Sequence, residues 1–334
     1  MINDEHPKVK FGKTGILLVN LGTPDSTSWW DVRKYLKEFL SDRRVIEVNP
    51  IIWQIVLNLF ILTLRPSKSA HAYKQIWFEK TNESPLLYYT REQAHKLSIK
   101  IQNEVTTVDF AMRYGNPSIK SKLDHLKEEG CESIVVLPLY PQYAAATTAT
   151  VCDEVYRCLM KMRWQPSLQI IPHYESEPLY IDALVKSINK KIESIKWKPD
   201  LILASYHGIP KSYFDKGDPY QCYCQKTSRL LKEKFTSIEI QTTFQSRFGP
   251  REWLKPYTDK TLEILPEQGK KNILVICPGF ASDCVETLEE INIQGKESFL
   301  KKGGENFDLI PCLNDNDDHI LLFETLIKKY LVKK

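Results

Sequence analysis

The chain has 334 residues, 42% hydrophobic and 26% charged, with 46 Lys and Arg against 42 Asp and Glu. That length predicts about two domains, and the composition is that of a folded globular protein, which excludes disordered and fibrous classes. The net charge of +4 is spread along the chain, not gathered into basic arms, which argues against a nucleic-acid partner and is compatible with an anionic ligand or a membrane surface. Eight cysteines are scattered, and the opening MINDEHPKVK has no apolar secretory core; free thiols and a cytoplasmic location are expected.

In chain order, the first apolar run is GILLVNLG (15–22), continuous and closed by Gly and Pro, the pattern of a strand buried on both faces. PIIWQIVLNLFILTLRPSK (50–68) follows, with about 15 mostly apolar residues interrupted by Gln54 and Asn58 and closed by Arg65 and Lys68. A membrane-spanning helix needs about 20 residues, so two readings stand. One is a helix buried in the first domain. The other is an amphipathic lip over 50–64 that covers an apolar ligand or makes peripheral contact with a membrane, with Arg65, Lys68 and Lys74 near head groups. TVDFAMRY (107–114), SIVVLPLY (133–140), LQIIPHY (168–174), DLILASYHG (200–208), IEIQTTFQSRFG (238–249) and NILVICPGF (272–280) read as further strands. Helical periodicity fills the gaps, as in SIKSKLDHLKEEG and EPLYIDALVKSINKKIESI. Strand and helix alternate, which predicts an α/β fold with parallel sheets.

The chain also repeats itself. GILLVNLGTP (15–24) parallels LILASYHGIP (201–210), FAMRYGNP (110–117) parallels FQSRFGP (244–250), and IVVLPLYPQY (134–143) parallels ILVICPGFAS (273–282). Three signals in one order predict two similar Rossmann-like domains facing a cleft, over 1–172 and 173–312, with a carboxy-terminal helix in 313–334 packing back on the first. Gly22 to Arg113 spans 91 residues but Gly208 to Arg247 only 39, so about 52 extra residues form an insertion in the first half, over about 45–90, that contains the apolar run.

The halves differ chemically as well. Where the first has VNLGTP the second has SYHGIP, placing His207 at a strand end; where the first has YPQYAAATTAT the second has PGFASDCVETLEE, with Asp283, Glu286 and Glu290 three and four apart. Ligands of doubly wound sheets sit at the carboxyl ends of strands, so both features should face the cleft. A capping box at Asp283 and Glu286 would explain two of these acids as helix-start residues, though not Glu290. No GxGxxG, Walker A, HExxH or GxSxG motif is present. Cys222 and Cys224 could bind a metal with Cys277 or Cys284, but one residue between ligands is unusual for zinc.

With these motifs in place, the sequence resembles the ferrochelatase family, proteobacterial type, along nearly its whole length. The carrying stretches are LLVNLGTPDS (17–26), FAMRYGNP, LPLYPQYAAATT (137–148), SYHGIPKSYFDKGDPY (205–220), TFQSRFGPREWLKPYTD (243–259) and CPGFASDCVETLEEI (277–291). The resemblance implies insertion of Fe2+ into protoporphyrin IX with release of two protons, the last step of haem synthesis. His207 matches the family's pyrrole-facing histidine and Glu286 its opposing glutamate, together the catalytic pair and the residues that would meet the metal. Asp283 and Glu290 would extend a proton or metal path. Leu21, Tyr140, Trp253 and Phe280 match contacts to the macrocycle, Arg113 a pocket arginine suited to a propionate, and Ser246 borders the same cleft. No cofactor beyond substrate iron is expected. The loop that holds a cluster cysteine in some relatives is Ala144–Ala146 here, and no cysteine follows Cys312, so an iron–sulfur cluster is not expected. A coproporphyrin III chelatase and a non-enzymatic porphyrin carrier are the alternatives. Oligomeric state has no readable signal in the sequence.

Overall fold

The computed structural model describes residues 10–236 and 238–331. The first half runs β1 (Lys13–Thr23), α1 (Trp29–Ser41), α2 (Pro50–Val56), a π-helical turn (Leu57–Ile61), α3 (Leu62–Ile76), α4 (Pro85–Ile101), β2 (Thr106–Gly115), α5 (Ile119–Glu128), β3 (Cys131–Pro138), α6 (Thr148–Leu159) and β4 (Ser167–Ile170). The second comprises α7 (Pro178–Ser194), β5 (Leu201–His207), α8 (Lys211–Asp215), α9 (Tyr220–Lys234), β6 (Ile240–Gln245), α10 (Thr258–Ile264), β7 (Asn272–Ile276), a π-helix (Val285–Gly295), α11 (Lys296–Lys301), β8 (Asn306–Ile310) and α12 (Asp317–Lys328). Each half folds into a four-stranded parallel sheet, in the orders β2-β1-β3-β4 and β6-β5-β7-β8. The two orders are equivalent, which is the structural form of the sequence repeat.

The strand runs are continuous because both faces of each sheet are covered. Ile16 and Leu18 of β1 join a core with α4, α7 and α12 that continues to Ile202, Ala204, Leu274 and Ile276 of the second sheet. The alternate residues Leu17 and Val19 face a separate core with α5 and α6. Side chains on a strand alternate faces, so a strand buried on both sides shows no polar alternation. The helix α12 packs against α4 of the first half and α7 of the second, so its Ile320, Phe323 and Ile327 lie in the core shared by the two sheets.

The sequence reading missed β8. Its five residues, NFDLI, include the polar Asp308, and no continuous apolar run marks a short strand at a sheet edge. The matched glycines of the repeat have a steric reason. Gly22 has φ +113°, and a Cβ there would lie 1.8 Å from the Tyr114 carbonyl oxygen; at Gly208 it would lie 2.9 Å from the Gln245 carbonyl oxygen and 3.2 Å from the Trp253 ring.

The insertion in the first half forms one helical path of 27 residues, Pro50–Ile76, longer than the stretch read from sequence because it continues through Pro66. At about 1.5 Å per residue it is about 40 Å long, enough to cross a bilayer by length alone. Leu57, Leu62, Pro66, Ala70, Tyr73 and Ile76 are buried, and α3 docks on α1 and the π-helix of the second half. Away from those contacts Ile51, Ile52, Ile55 and Leu59 are exposed, while the exposed Phe60 and Leu64 stand at the cleft. The segment is therefore a lip with one seated face and one bare apolar face.

Candidate active site

The carboxyl ends of both sheets and the lip enclose a cleft of about 910 Å³. Its histidine wall begins where β5 ends. His207 Nδ1 lies 2.6 Å from the Gly208 carbonyl oxygen. A carbonyl only accepts, so Nδ1 holds the ring proton and Nε2 is left as the basic nitrogen. The absence of a side chain at Gly208 lets the Trp253 ring approach, its centroid 6.4 Å from that of His207.

The acidic wall begins after β7. The capping box expected at Asp283 and Glu286 is displaced by one residue: Cys284 is the N-cap, and its backbone amide donates to the Thr287 hydroxyl at 3.1 Å. The helix that follows is a π-helix, whose i→i+5 bonds change which residues stack. Gln294 Nε2 accordingly donates to Glu289 Oε1, five residues earlier, at 2.6 Å. Glu286, Glu289, Glu290 and Gln294 all line the cleft. Glu289, 7% exposed, is not singled out in the sequence, where only Asp283, Glu286 and Glu290 read as one face. Glu290 accepts hydrogen bonds from the Ser246 amide at 2.7 Å and from the Ser246 hydroxyl. Burial pushes its carboxyl above the ordinary range, partly offset by the Ser246 bond and the charge of His207. Ser246 makes its amide available by turning out of the strand at φ +65°, a conformation that costs a non-glycine residue about 1–2 kcal/mol.

Of the ten positions the sequence singled out, Leu21, Tyr140, His207, Ser246, Trp253, Phe280, Glu286 and Glu290 line the cleft. Asp283 and Arg113 do not. Asp283 is 4% exposed; it receives hydrogen bonds from Asn314 Nδ2 at 2.7 Å and Thr287 Oγ1 at 2.9 Å. Those bonds tie the helix start to the loop after β8, so Asp283 corrects to an anchor of the helix and is no step on an open acidic path. Arg113 is 7% exposed, pairs with Asp42 at 2.5 Å, and donates to the Thr150 carbonyl at 2.8 Å. With its charge already satisfied behind Tyr114 and away from the lining, it is not placed to receive a propionate.

A different arginine is. Arg65, expected near head groups, lines the cleft with Lys68. Its guanidinium lies 4.5 Å from the centre of the Phe248 ring, and among the described residues no carboxylate pairs with it. Burial pushes it below its ordinary value, opposed by the negative charge of Glu286. The same Glu286 charge, behind the dominant effect of burial, pushes the Tyr35 and Tyr73 phenols up.

Among the described residues no group of three or more His, Cys, Asp or Glu is gathered closely enough to hold a metal ion. His207 therefore does not form a compact ligand cage with the acids. The four cysteines considered together from sequence do not gather either: Cys222 is exposed, and Cys224, Cys277 and Cys284 are buried.

Comparison with known proteins agrees with this geometry. The ferrochelatase family model matches residues 13–331. The ferrochelatase of Allorhizobium ampelinum is 55% identical over 330 residues, covering 98% of this chain and 96% of its own; that of Rhizobium meliloti is 55% identical over 332 residues, covering 98% of each. Among solved structures, SirB from Bacillus subtilis, determined with Fe3+, superposes with a TM-score of 0.57 at 12% identity over 95% of both chains, a likeness of fold. A whole-chain family match, close relatives of nearly equal length and a cleft built by a repeated α/β half lead to one conclusion: the chain belongs to the ferrochelatase family.

Proposed function

We propose that the chain inserts Fe2+ into protoporphyrin IX to give protohaem, with His207 and the Glu286–Glu290 wall as the working groups. The observation that carries this reading is an apolar cleft with a basic nitrogen on one wall, carboxylates on another, and unpaired cations at its lip. A flat macrocycle is held by apolar and aromatic side chains, here Leu21, Tyr140, Trp253 and Phe280. Arg65 and Lys68 suit its two propionates, since a guanidinium removed from water without a partner is favourable only when a carboxylate completes it. His207 Nε2 accepts a pyrrole proton. Glu286 meets the iron or takes the second proton, and Glu290, whose carboxyl is raised by burial, holds a proton on its way out. Two N–H bonds break, four iron–nitrogen bonds form, and two protons leave.

A dicarboxylic porphyrin fits better than a tetracarboxylic one. A further cleft cation, Arg247, is engaged with Asp259 at 2.8 Å, which leaves Arg65 and Lys68 for substrate carboxylates. Coproporphyrin III is the comparison substrate, and a porphyrin carrier without turnover is the other outcome. The bare face of Pro50–Ile76 supports peripheral contact with the cytoplasmic face of a membrane, from which an apolar porphyrin could be taken up. The reading requires no resident cofactor. Loss of protoporphyrin fluorescence on adding Fe2+ without oxygen tests it. His207→Ala and Glu286→Gln should each lower kcat by about 100-fold or more; turnover that survives in both defeats the assignment. Charge-transfer bands in the visible spectrum of anaerobically purified protein would overturn the absence of an iron–sulfur cluster.

A further inference from the structure

Both walls of the cleft converge on one buried amide. Gln245, the last residue of β6, is 3% exposed. In the parallel register it stands opposite His207. Its carbonyl oxygen accepts from the Gly208 amide at 2.8 Å, the residue whose own carbonyl fixes the His207 ring. Its side chain reaches the other way, and Nε2 donates to the Glu286 carbonyl oxygen at 2.7 Å and, at the longer distance of 3.5 Å, to Glu290 Oε2. The side chain is itself held: Oε1 accepts from Ser205 Oγ at 2.7 Å, and Ser205 continues through Thr258 Oγ1 at 2.9 Å to Thr243 Oγ1 at 2.9 Å. A chain of buried hydroxyls with partners leaves the amide a single orientation.

Two features make this more than a satisfied core glutamine. In the first half the residue opposite Leu21, between the pairs Asn20–Met112 and Gly22–Tyr114, is Arg113, whose side chain turns instead to Asp42 and the Thr150 carbonyl, so the link from strand end to acidic wall is an addition in the half that carries the chemistry. It also bonds at the first turn of the π-helix, where a backbone carbonyl sets the position of the side chain on the same residue. The residue after it, Ser246, holds Glu290. From one strand end, Gln245 thus fixes His207 through its backbone and Glu286 through its side chain.

We propose that Gln245 is a positioning residue that sets the separation and aim of His207 and Glu286 across the cleft. It is not among the residues that line the cleft; it acts through the acidic wall, chiefly Glu286, to which its bond is the shorter. The inference rests on the role given to Glu286 above. Groups that support a ligand from behind are worth about 10–100-fold in activity.

The test is a double-mutant cycle on the full-length protein with protoporphyrin IX and Fe2+ in the anaerobic fluorescence assay. Gln245→Met keeps the volume and removes the side-chain hydrogen bonds to Glu286, Glu290, Ser205 and Cys277. It should lower kcat by about 10–100-fold with KM for porphyrin changed less than about 3-fold. In the Glu286→Gln background the same substitution should cost less than about 2-fold, because the carboxylate it chiefly positions is gone. Ser205→Ala, which frees the amide without altering it, should give an intermediate loss that also vanishes in that background, and it serves if Gln245→Met does not fold. Losses that multiply in the double variant, or a kcat for both single variants within 2-fold of wild type, overturn the proposal. Wild-type turnover in Glu286→Gln alone would instead remove the function assigned to that glutamate.

Discussion

His319 couples the stability of this protein to pH. It lies in the first turn of α12 with no exposure. Nδ1 donates to the Asn314 carbonyl at 2.7 Å, Nε2 is buried with no partner, and the ring lies against Phe323 with centroids 4.2 Å apart. Burial lowers its pKa from 6.5 to about 4, offset in part by the Asn314 bond and the charge of Asp315. The folded chain therefore keeps the ring neutral while the unfolded chain protonates it below pH 6.5. Stability from this residue is full above pH 6.5 and is lost as the pH falls towards 4. The gap from 6.5 to about 4, at about 1.4 kcal/mol for each pH unit, comes to about 3 kcal/mol. The loss matters to the site because Asn314 also binds Asp283 and Gln93, so the same loop anchors the helix that carries Glu286. Urea unfolding of wild type and His319→Asn between pH 4 and 7.5 isolates the effect from the other titrating groups. The asparagine keeps a donor and cannot titrate, so the difference between the two proteins should shift in its favour by about 3 kcal/mol on acidification. A difference constant to within about 0.5 kcal/mol across that range would refute the reasoning.

Other expectations follow from the cleft and the lip. Arg65→Leu should raise KM for protoporphyrin by about 10-fold or more, the loss of about 1.5–3 kcal/mol in a charged hydrogen bond, with a smaller change in kcat; an unchanged KM would remove Arg65 from porphyrin binding. Ser246→Ala removes a hydroxyl that lowers the Glu290 pKa, so the Glu290 carboxyl should titrate higher in the free enzyme, measured by carbon-13 NMR of labelled glutamate. Ile51→Ser with Ile55→Ser and Leu59→Ser should weaken binding to anionic lipid vesicles without lowering Tm, because all three side chains are exposed and none lines the cleft. Leu62, fully buried one turn away, should instead destabilise the lip by about 2–5 kcal/mol when cut to alanine. Gly22→Ala should prevent normal pairing of β1 with β2, seen as a large loss of Tm, since its Cβ would collide with the Tyr114 carbonyl oxygen.

The sequence by itself determined the repeated α/β architecture, because strands buried on both faces must be apolar throughout and matched glycines are needed where strands approach closely. It also isolated His207 and Glu286, since comparing the two halves exposes side chains that appear in only one. What the tertiary structure decided are matters of partner and period. Asp283 and Arg113 look like site residues in one dimension, yet each finds a buried partner, Asn314 and Asp42, that no local pattern encodes. Glu289 lines the cleft beside Glu286 and Glu290 on a π-helix whose start is held by bonds to β6 and the loop after β8 that lie far along the chain. Arg65 moves from an expected membrane surface to the cleft because α3 docks on α1 and on the π-helix of the second half, a long-range packing that no local pattern encodes.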